Sequence, residues 1–245
     1  MKKKPFKNPI IVNAEISRIK IVNALIFITA LLFLFHIAAS VIPTKIGFGF
    51  FPGDNVFCRL FNMDMESNIP TWFQAAILLS SSFLAAWTAL TYSKEEKKVR
   101  NFWFFVSVIL MYLSIDEISI LHERVRMPSN IEISFGALTL PAHFVWVIPG
   151  IVAVLIVGSL IIKPLFMIDK ATRMRLFLAG FIYVAGAIGC EIIGASIWET
   201  SGKFRTLSYS LIAGVEELGE ITGCIICLRA ILMELSQRKS GIYIV

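Results

Sequence analysis

Residues 21–42 read IVNALIFITALLFLFHIAASVI, a run of 22 residues that contains no Asp, Glu, Lys or Arg. A membrane-spanning helix needs about 20 mostly apolar residues to cross about 30 Å of hydrocarbon, and this run is long enough. The apolar core of a cleaved signal peptide has only about 7–15 residues, which favours an uncleaved anchor. The run therefore predicts a membrane protein.

Five further apolar runs of similar length follow the first one. They lie at residues 71–92, 102–121, 142–162, 176–198 and 207–233. The composition agrees, because the chain is 57% hydrophobic and only 16% charged, whereas a soluble domain has about 25% charged residues. We therefore predict an all-α fold, a polytopic bundle of six transmembrane helices that forms a single domain over residues 1–245.

Lys and Arg residues are distributed unevenly between the two sides of this predicted bundle. The N-terminal segment, the second and fourth connections and the C-terminal tail together hold sixteen, and the three opposite loops hold six. Because cytoplasmic loops of membrane proteins carry an excess of Lys and Arg, the pattern predicts that both termini are cytoplasmic (N-in/C-in). It also accounts for the net charge of +6, so a nucleic-acid partner is not expected.

Acidic residues inside the predicted spans are the candidate functional residues. Asp116 and Glu117 lie near the end of the third run, Glu191 lies in the fifth, and the sixth contains Glu216-Glu217-Leu218-Gly219-Glu220. At a rise of 1.5 Å per residue these acids, together with His36 of the first run, lie roughly 20–27 Å from the inner boundary. Four helices thus bring ionisable groups to one layer in the outer half of the membrane.

Burial of these acids needs a physical explanation. Each acid at the centre of a span costs about 2.5–3.5 kcal/mol, so the six side chains should face the bundle interior or a wet cavity. No Lys or Arg lies at their depth within a predicted span. Three arrangements stay open: protonated acids, a wet cavity or a bound cation. Carboxylates with imidazoles suit iron, manganese or zinc, and oxygen ligands alone suit magnesium or calcium.

Small residues accompany the acids of the last two runs. Gly219 and Gly223 form a Gly-x-x-x-Gly pattern, and Gly194 and Ala195 follow Glu191. Such positions let helix backbones approach closely in membranes. We therefore expect the fifth and sixth helices to pack tightly enough to bring their acids into contact.

Four segments of the chain carry a family resemblance: Ile69–Phe73, Leu113–Glu123, Trp146–Gly150 and Val215–Gly223. The most specific is the second, which contains an Asp-Glu-x4-His-Glu pattern. Together they resemble an uncharacterised group of bacterial six-helix multipass membrane proteins. The resemblance implies the six-helix plan and a location in the bacterial inner (cell) membrane, and it implies no activity.

The first functional hypothesis is a divalent-metal site that opens toward the outer leaflet. Its predicted ligands are Asp116, Glu191, Glu216 and Glu220, completed by His36 or His122. Glu217 is the candidate catalytic base, acting on a water molecule whose pKa the metal would lower. With membrane lipid as the surrounding partner, the reaction would be hydrolysis or oxidation of a lipid-phase substrate, and the sequence does not separate these two.

Two alternatives from other classes stay open. One is a proton- or cation-coupled membrane carrier whose acids titrate during transport, although the chain lacks a pair of Pro- or Gly-broken helices in matching halves. The other is a non-enzymatic accessory or immunity protein whose acids serve assembly. Walker A, Rossmann and Gly-x-Ser-x-Gly patterns are missing, so nucleotide binding and serine hydrolysis have no support.

The charge distribution makes a prediction about topology. Reporter fusions after Lys98 and Arg173 should give a cytoplasmic signal, and fusions after Glu66 and Arg205 an extracytoplasmic one, because the first two positions lie in Lys- and Arg-rich connections. An extracytoplasmic signal at Arg173 would contradict the predicted order of spans.

Overall fold

The computed structural model describes the backbone of residues 9–45, 56–124, 133–135, 138–141 and 144–239. The predicted start of the fourth run, at Ala142, lies outside the described residues. Within the described part the regular elements are helices, apart from one short antiparallel pair of strands.

Eight α-helices are described. In chain order they are α1 (Pro9–Lys45), α2 (Val56–Phe61), α3 (Ile69–Leu90), α4 (Lys97–Ser119), α5 (Val147–Leu165), α6 (Lys170–Val184), α7 (Glu191–Thr200) and α8 (Leu207–Lys239). A 3₁₀ turn at His122–Arg124 follows α4, and a π-helical turn at Ala185–Cys190 joins α6 to α7. Strands β1 (Ile133–Phe135) and β2 (Leu138–Leu140) pair with Ile133 opposite Leu140.

Five stretches of the described chain are helical, long and apolar enough to cross a membrane. They are Arg18–Val41, Ile69–Leu90, Lys97–Ser119, Val147–Leu165 and Lys170–Thr200. The all-α membrane architecture is therefore confirmed. Helix α8 has 33 residues and is also long enough, but its acids and Arg229 keep it out of this set. The predicted count of six spans and the N-in/C-in orientation are not confirmed.

Local sequence signals fix the starts of two helices. Asn68 caps α3 by accepting a hydrogen bond from the Thr71 amide at 3.1 Å, and Pro70 follows it. Asp169 caps α6, since its carboxylate accepts from the amides of Ala171 and Thr172. Asn and Asp are preferred at this position because they satisfy amides that the first turn leaves unpaired.

Helix α8 is the element around which the bundle is built, because it packs against α1, α3, α6 and α7. Its buried Ile221, Leu228 and Ile231 belong to the same apolar core as Leu78 and Ala85 of α3. The acids of α8 therefore lie on a helix that neighbours cover on several sides.

Glycines let α8 and the α6–α7 region approach each other closely. A Cβ atom on Gly223 would lie 2.8 Å from the carbonyl oxygen of Ala179, and one on Gly186 would lie 2.8 Å from the carbonyl oxygen of Glu216. A Cβ atom added to Gly219 would lie 3.3 Å from the Gly186 Cα atom. The close-packing face predicted from Gly219 and Gly223 is confirmed.

The C-terminal end of α8 is tied to the turn between α3 and α4. Arg238 donates two hydrogen bonds to the Glu96 carboxylate, at 2.9 and 3.3 Å, and its guanidinium carbon lies 3.5 Å from the centroid of the Tyr92 ring. The Arg238 guanidinium, helped by the Ser93 amide, holds the pKa of Glu96 below its ordinary value.

This ion pair predicts a weak dependence of stability on acid pH. The folded pKa of Glu96 is depressed, so its contribution is present above the ordinary Glu pKa of about 4.3 and is lost as the pH falls through the folded pKa. Thermal unfolding in detergent should show a Glu96→Gln variant converging with the wild type in acid, while Glu95→Gln follows the wild type throughout. The difference stays small, because exposed ion pairs contribute little. Parallel curves for wild type and Glu96→Gln would contradict this account.

Candidate functional site

Acids from α4 and α8 meet at a single buried amide on α3. Gln74 is 0% exposed, and its Nε2 atom donates to Glu117 Oε2 at 2.9 Å and to Glu220 Oε2 at 2.8 Å. The two carboxylate oxygens are therefore bonded to the same nitrogen atom and lie close to each other. Three helices converge on this point.

Two more side chains complete the arrangement. Tyr183 of α6 lies close enough to Glu220 for the two groups to interact, and Glu217 lies close enough to Glu117 and Glu220 for their charges to interact. We call Gln74, Glu117, Tyr183, Glu217 and Glu220 the Gln74 cluster. It combines three carboxylates with two neutral hydrogen-bonding side chains.

A second group of polar contacts starts where α4 ends. The Asp116 carboxylate accepts hydrogen bonds from the His122 backbone amide at 2.9 Å and from its ring Nδ1 at 2.7 Å. The chain turns back between these residues because Ile120 adopts a left-handed conformation, with φ of 54°. Such a conformation is strained for a β-branched residue and recurs at functional sites.

The Trp146 side chain contacts both the His122 ring and the first residue of α7. The His122 ring lies edge-on to Trp146, with 4.5 Å between centroids, and Trp146 Nε1 donates to Glu191 Oε1 at 2.8 Å. We call Asp116, His122, Trp146 and Glu191 the His122 row. Glu216 lies close enough to Glu191 and to Glu220 for its charge to interact with both of theirs.

The π-helical turn at Ala185–Cys190 sets the direction of Glu191. It ends at the residue before the acid, and a π turn contains more residues than an α-helical one, so it rotates the part of the helix that follows. Such turns recur at functional sites. Gly186, within this turn, also permits the close approach to the Glu216 backbone.

His36 does not fit the predicted role of metal ligand. Its ring Nε2 lies 2.9 Å from the Ser210 carbonyl oxygen, and its Nδ1 accepts a hydrogen bond from the Met63 amide at 3.0 Å. Both nitrogens therefore have backbone partners, and binding a metal would break one of these bonds. The fully buried ring packs onto Gly214, where an added Cβ would approach it to 2.4 Å. His36 joins α1, α8 and the segment after α2.

The other predicted ligands are brought near one another in two groups. Asp116 and His122 pair directly, and Glu216 lies near enough to Glu191 and Glu220 for their charges to interact. Among the residues that the structure describes, no group of three or more His, Cys, Asp or Glu side chains is arranged to hold a metal ion. The divalent metal and the catalytic role of Glu217 stay predictions.

Sequence reasoning missed the side chains that hold the acids. Gln74 and Trp146 each donate a hydrogen bond to a predicted site residue, Tyr183 lies beside Glu220, and Glu117 was left out of the predicted ligand set. Gln74 carried a signal, since no other Asn, Gln or charged residue occurs in the run 71–92. It also lies near the same end of its helix as the layer of acids.

One protein family matches the chain. The family model described as Domain of unknown function (DUF8692) matches residues 24–235, which is most of the sequence. No curated protein and no solved structure matches. The match extends from α1 to α8 and so includes every residue of the Gln74 cluster and of the His122 row.

Proposed function

We propose that this chain, which belongs to the family described as Domain of unknown function (DUF8692), is a proton- or cation-coupled membrane carrier whose Gln74 cluster binds the coupling ion. The observation that supports this most is the shared amide: Gln74 Nε2 donates to carboxylates of two different helices. A cation that binds there changes the charge of a contact between α3, α4 and α8. Movement of these helices can then be coupled to the ion.

The proposal includes α8 as a sixth span, with both termini in the cytoplasm of a bacterial cell and the bundle in its inner membrane. The charges of α8 oppose insertion only if they face lipid. Instead, Glu220 is 9% exposed and Glu234 is 4% exposed, and both bond to side chains of other helices. Arg229 is exposed, but it lies near the inner end of the predicted span 207–233, where a long side chain can extend to the membrane interface. In this orientation, the Gln74 cluster lies in the outer half of the membrane.

The chemistry of the cluster suits reversible binding of a cation. Two carboxylates that share one donor cannot both stay ionised without a cost, because burial removes the water that would screen their repulsion. A bound proton removes one of these charges. It also provides a new O–H donor, and Gln74 Oε1 is a buried acceptor with no hydrogen-bond partner among the described residues. Protonation can therefore rearrange the hydrogen bonds of the cluster.

Titration of the shared acids tests this function. Infrared difference spectra of the lipid-reconstituted protein, recorded between alkaline and acidic buffer, should show a protonated-carboxyl signal that weakens in Glu117→Gln and in Glu220→Gln. A Glu95→Gln variant is the matched control, because this exposed acid lies in the turn outside the spans. A difference spectrum that neither cluster variant changes would contradict the proposal.

A divalent-metal enzyme acting on a lipid-phase substrate is the second candidate, and one contact favours it. Metal-binding histidines are commonly oriented by a carboxylate that bonds the other ring nitrogen, and Asp116 holds His122 Nδ1 in this way. Asp116, Glu191, Glu216 and Glu220 would supply the remaining ligands, and Glu217 the base.

Metal analysis separates the two candidates. For the enzyme, elemental analysis of the purified protein should find a transition metal that is lost in Glu216→Ala or Glu220→Ala. Added metal should stabilise the fold by about 2.7 kcal/mol at a hundred times the dissociation constant. A metal-free preparation whose melting temperature does not respond to added metal would rule this candidate out and leave the carrier.

A further inference from the structure

A polar cavity, which we call the inner cavity, lies where α3 and α8 end and α6 begins. Its volume is about 490 Å³, within the range of about 300–1,000 Å³ that small-molecule sites occupy. In the proposed orientation it lies at the cytoplasmic boundary, because Glu234 directly follows the predicted span 207–233. Its lining includes the polar residues Tyr92, Asp169, Glu234 and Arg238 and the apolar residues Met167 and Ile168.

Two hydroxyl groups orient the Glu234 carboxylate at the wall of the inner cavity. Tyr92 donates a hydrogen bond to Oε1, and Thr172 donates to Oε2 at 3.0 Å. These donors come from the turn after α3 and from α6, so three segments of the chain fix the position of this acid. Hydroxyl donors satisfy the carboxylate without neutralising its charge, and each of its oxygens can accept a further hydrogen bond. Glu234 can therefore also accept hydrogen bonds from a ligand.

The charged groups around the inner cavity have an excess of negative charge. Among the described residues that line it, Arg238 is the only basic one. Its guanidinium donates to Glu96 at 2.9 Å and lies 3.9 Å from Glu234 Oε1. Asp169 provides a third carboxylate, whose Oδ2 atom caps α6. Three carboxylates around one guanidinium favour a ligand that is positively charged.

The groups that are already in place indicate what kind of cation fits. The Arg238 guanidinium carbon lies 3.5 Å from the centroid of the Tyr92 ring, so the protein's own cation uses the aromatic face that a quaternary ammonium ion would need. Carboxylates instead form strong hydrogen bonds with cations that carry N–H groups. Met167 and Ile168 add apolar surface, which suits a short hydrocarbon chain.

The inner cavity and the Gln74 cluster are separate, but they share α3 and α8. Glu220 of the cluster and Glu234 of the cavity are 14 residues apart on α8, which corresponds to about 21 Å along the helix. Leu228 and Ile231 lie between them and are buried in the apolar core. The two sites are therefore separated by apolar packing, and a shift of α8 changes both of them.

We propose that the inner cavity binds a small organic cation with N–H donors, a primary ammonium or guanidinium compound with a short apolar chain, and that this cation is the transported substrate. The proposal rests on the proposed function and names the substrate class of the carrier. The ion at the Gln74 cluster and the substrate in the inner cavity then act through the same two helices, as coupled transport requires.

Calorimetric titration of the full-length protein in detergent tests the ligand class. The probe is butylguanidinium, which has the charge, the N–H donors and the apolar chain that the inner cavity suits. Tetramethylammonium has the charge without N–H donors, and butyrate has the opposite charge. Both should bind at least about tenfold more weakly than butylguanidinium, the scale of one hydrogen bond to a charged group.

Two variants locate the binding site. Glu234→Gln should weaken butylguanidinium binding roughly tenfold or more, because it removes a buried charged acceptor. Asp169→Asn should weaken it roughly two- to fivefold, the scale of an exposed ion pair. Asn also caps helices well, so this variant keeps the start of α6 and tests the site even where Glu234→Gln does not fold. Glu95→Gln is the matched control and should keep the wild-type affinity.

Counterflow tests whether the bound cation is transported. Proteoliposomes loaded with unlabelled butylguanidinium should accumulate the labelled compound faster than protein-free vesicles, and Glu234→Gln should abolish the difference. Binding without counterflow would overturn the role of the cation as a substrate. Equal affinities for the three probes, or equal losses in Glu234→Gln and Glu95→Gln, would overturn the site itself.

The infrared titration of the Gln74 cluster, recorded on the same vesicles, separates this proposal from the proposed function. An intact carboxyl signal in wild-type protein that does not bind butylguanidinium would overturn the inner cavity as a substrate site and leave the ion-binding function standing. Absence of the carboxyl signal in the wild type would overturn the carrier function, and the transported role of the cation with it.

Discussion

Carboxylates inside a membrane protein must be given hydrogen-bond donors by the protein itself, because the lipid provides none and an isolated buried charge is too costly. In this bundle Gln74 donates hydrogen bonds to both Glu117 and Glu220, and Trp146 donates one to Glu191. These donors come from α3 and from the residue that precedes α5. The position of each helix around α8 is thereby linked to the acids that α8 and α4 carry.

Backbone geometry makes this arrangement possible. Gly186 and Gly223 allow α8 to lie against the α6–α7 region at distances that a Cβ atom would prevent. The π-helical turn then directs Glu191 toward Trp146, and the left-handed Ile120 returns His122 to Asp116. Each irregularity adjoins an acid. Strain and close packing of this kind are retained where surrounding contacts compensate for them.

Hydropathy made the helices predictable, since the predicted runs 71–92 and 102–121 correspond to α3 (Ile69–Leu90) and α4 (Lys97–Ser119). The rise per residue of a helix predicted that acids of different helices lie at the same depth in the membrane. The contact of Gln74 with Glu117 of α4 and Glu220 of α8 brings acids of two of those helices together. The partners were not predictable. A neutral amide such as Gln74 changes hydropathy little, and a local turn such as the one at Ile120 decides which side chain meets Asp116. His36 illustrates the same limit, because backbone groups far away in sequence occupy both its nitrogens.

The measurement that tests the central claim most directly is a double-mutant cycle on unfolding free energy with Gln74→Leu and Glu220→Leu. If the amide and the carboxylate depend on each other, the double variant should lose less stability than the two single variants together, by about 1–3 kcal/mol, the cost of leaving one buried partner unsatisfied. The pair Gln74→Leu and Glu191→Leu is the control, because Glu191 bonds Trp146 instead, and its effects should add. Additive effects for Gln74 and Glu220 would contradict the account.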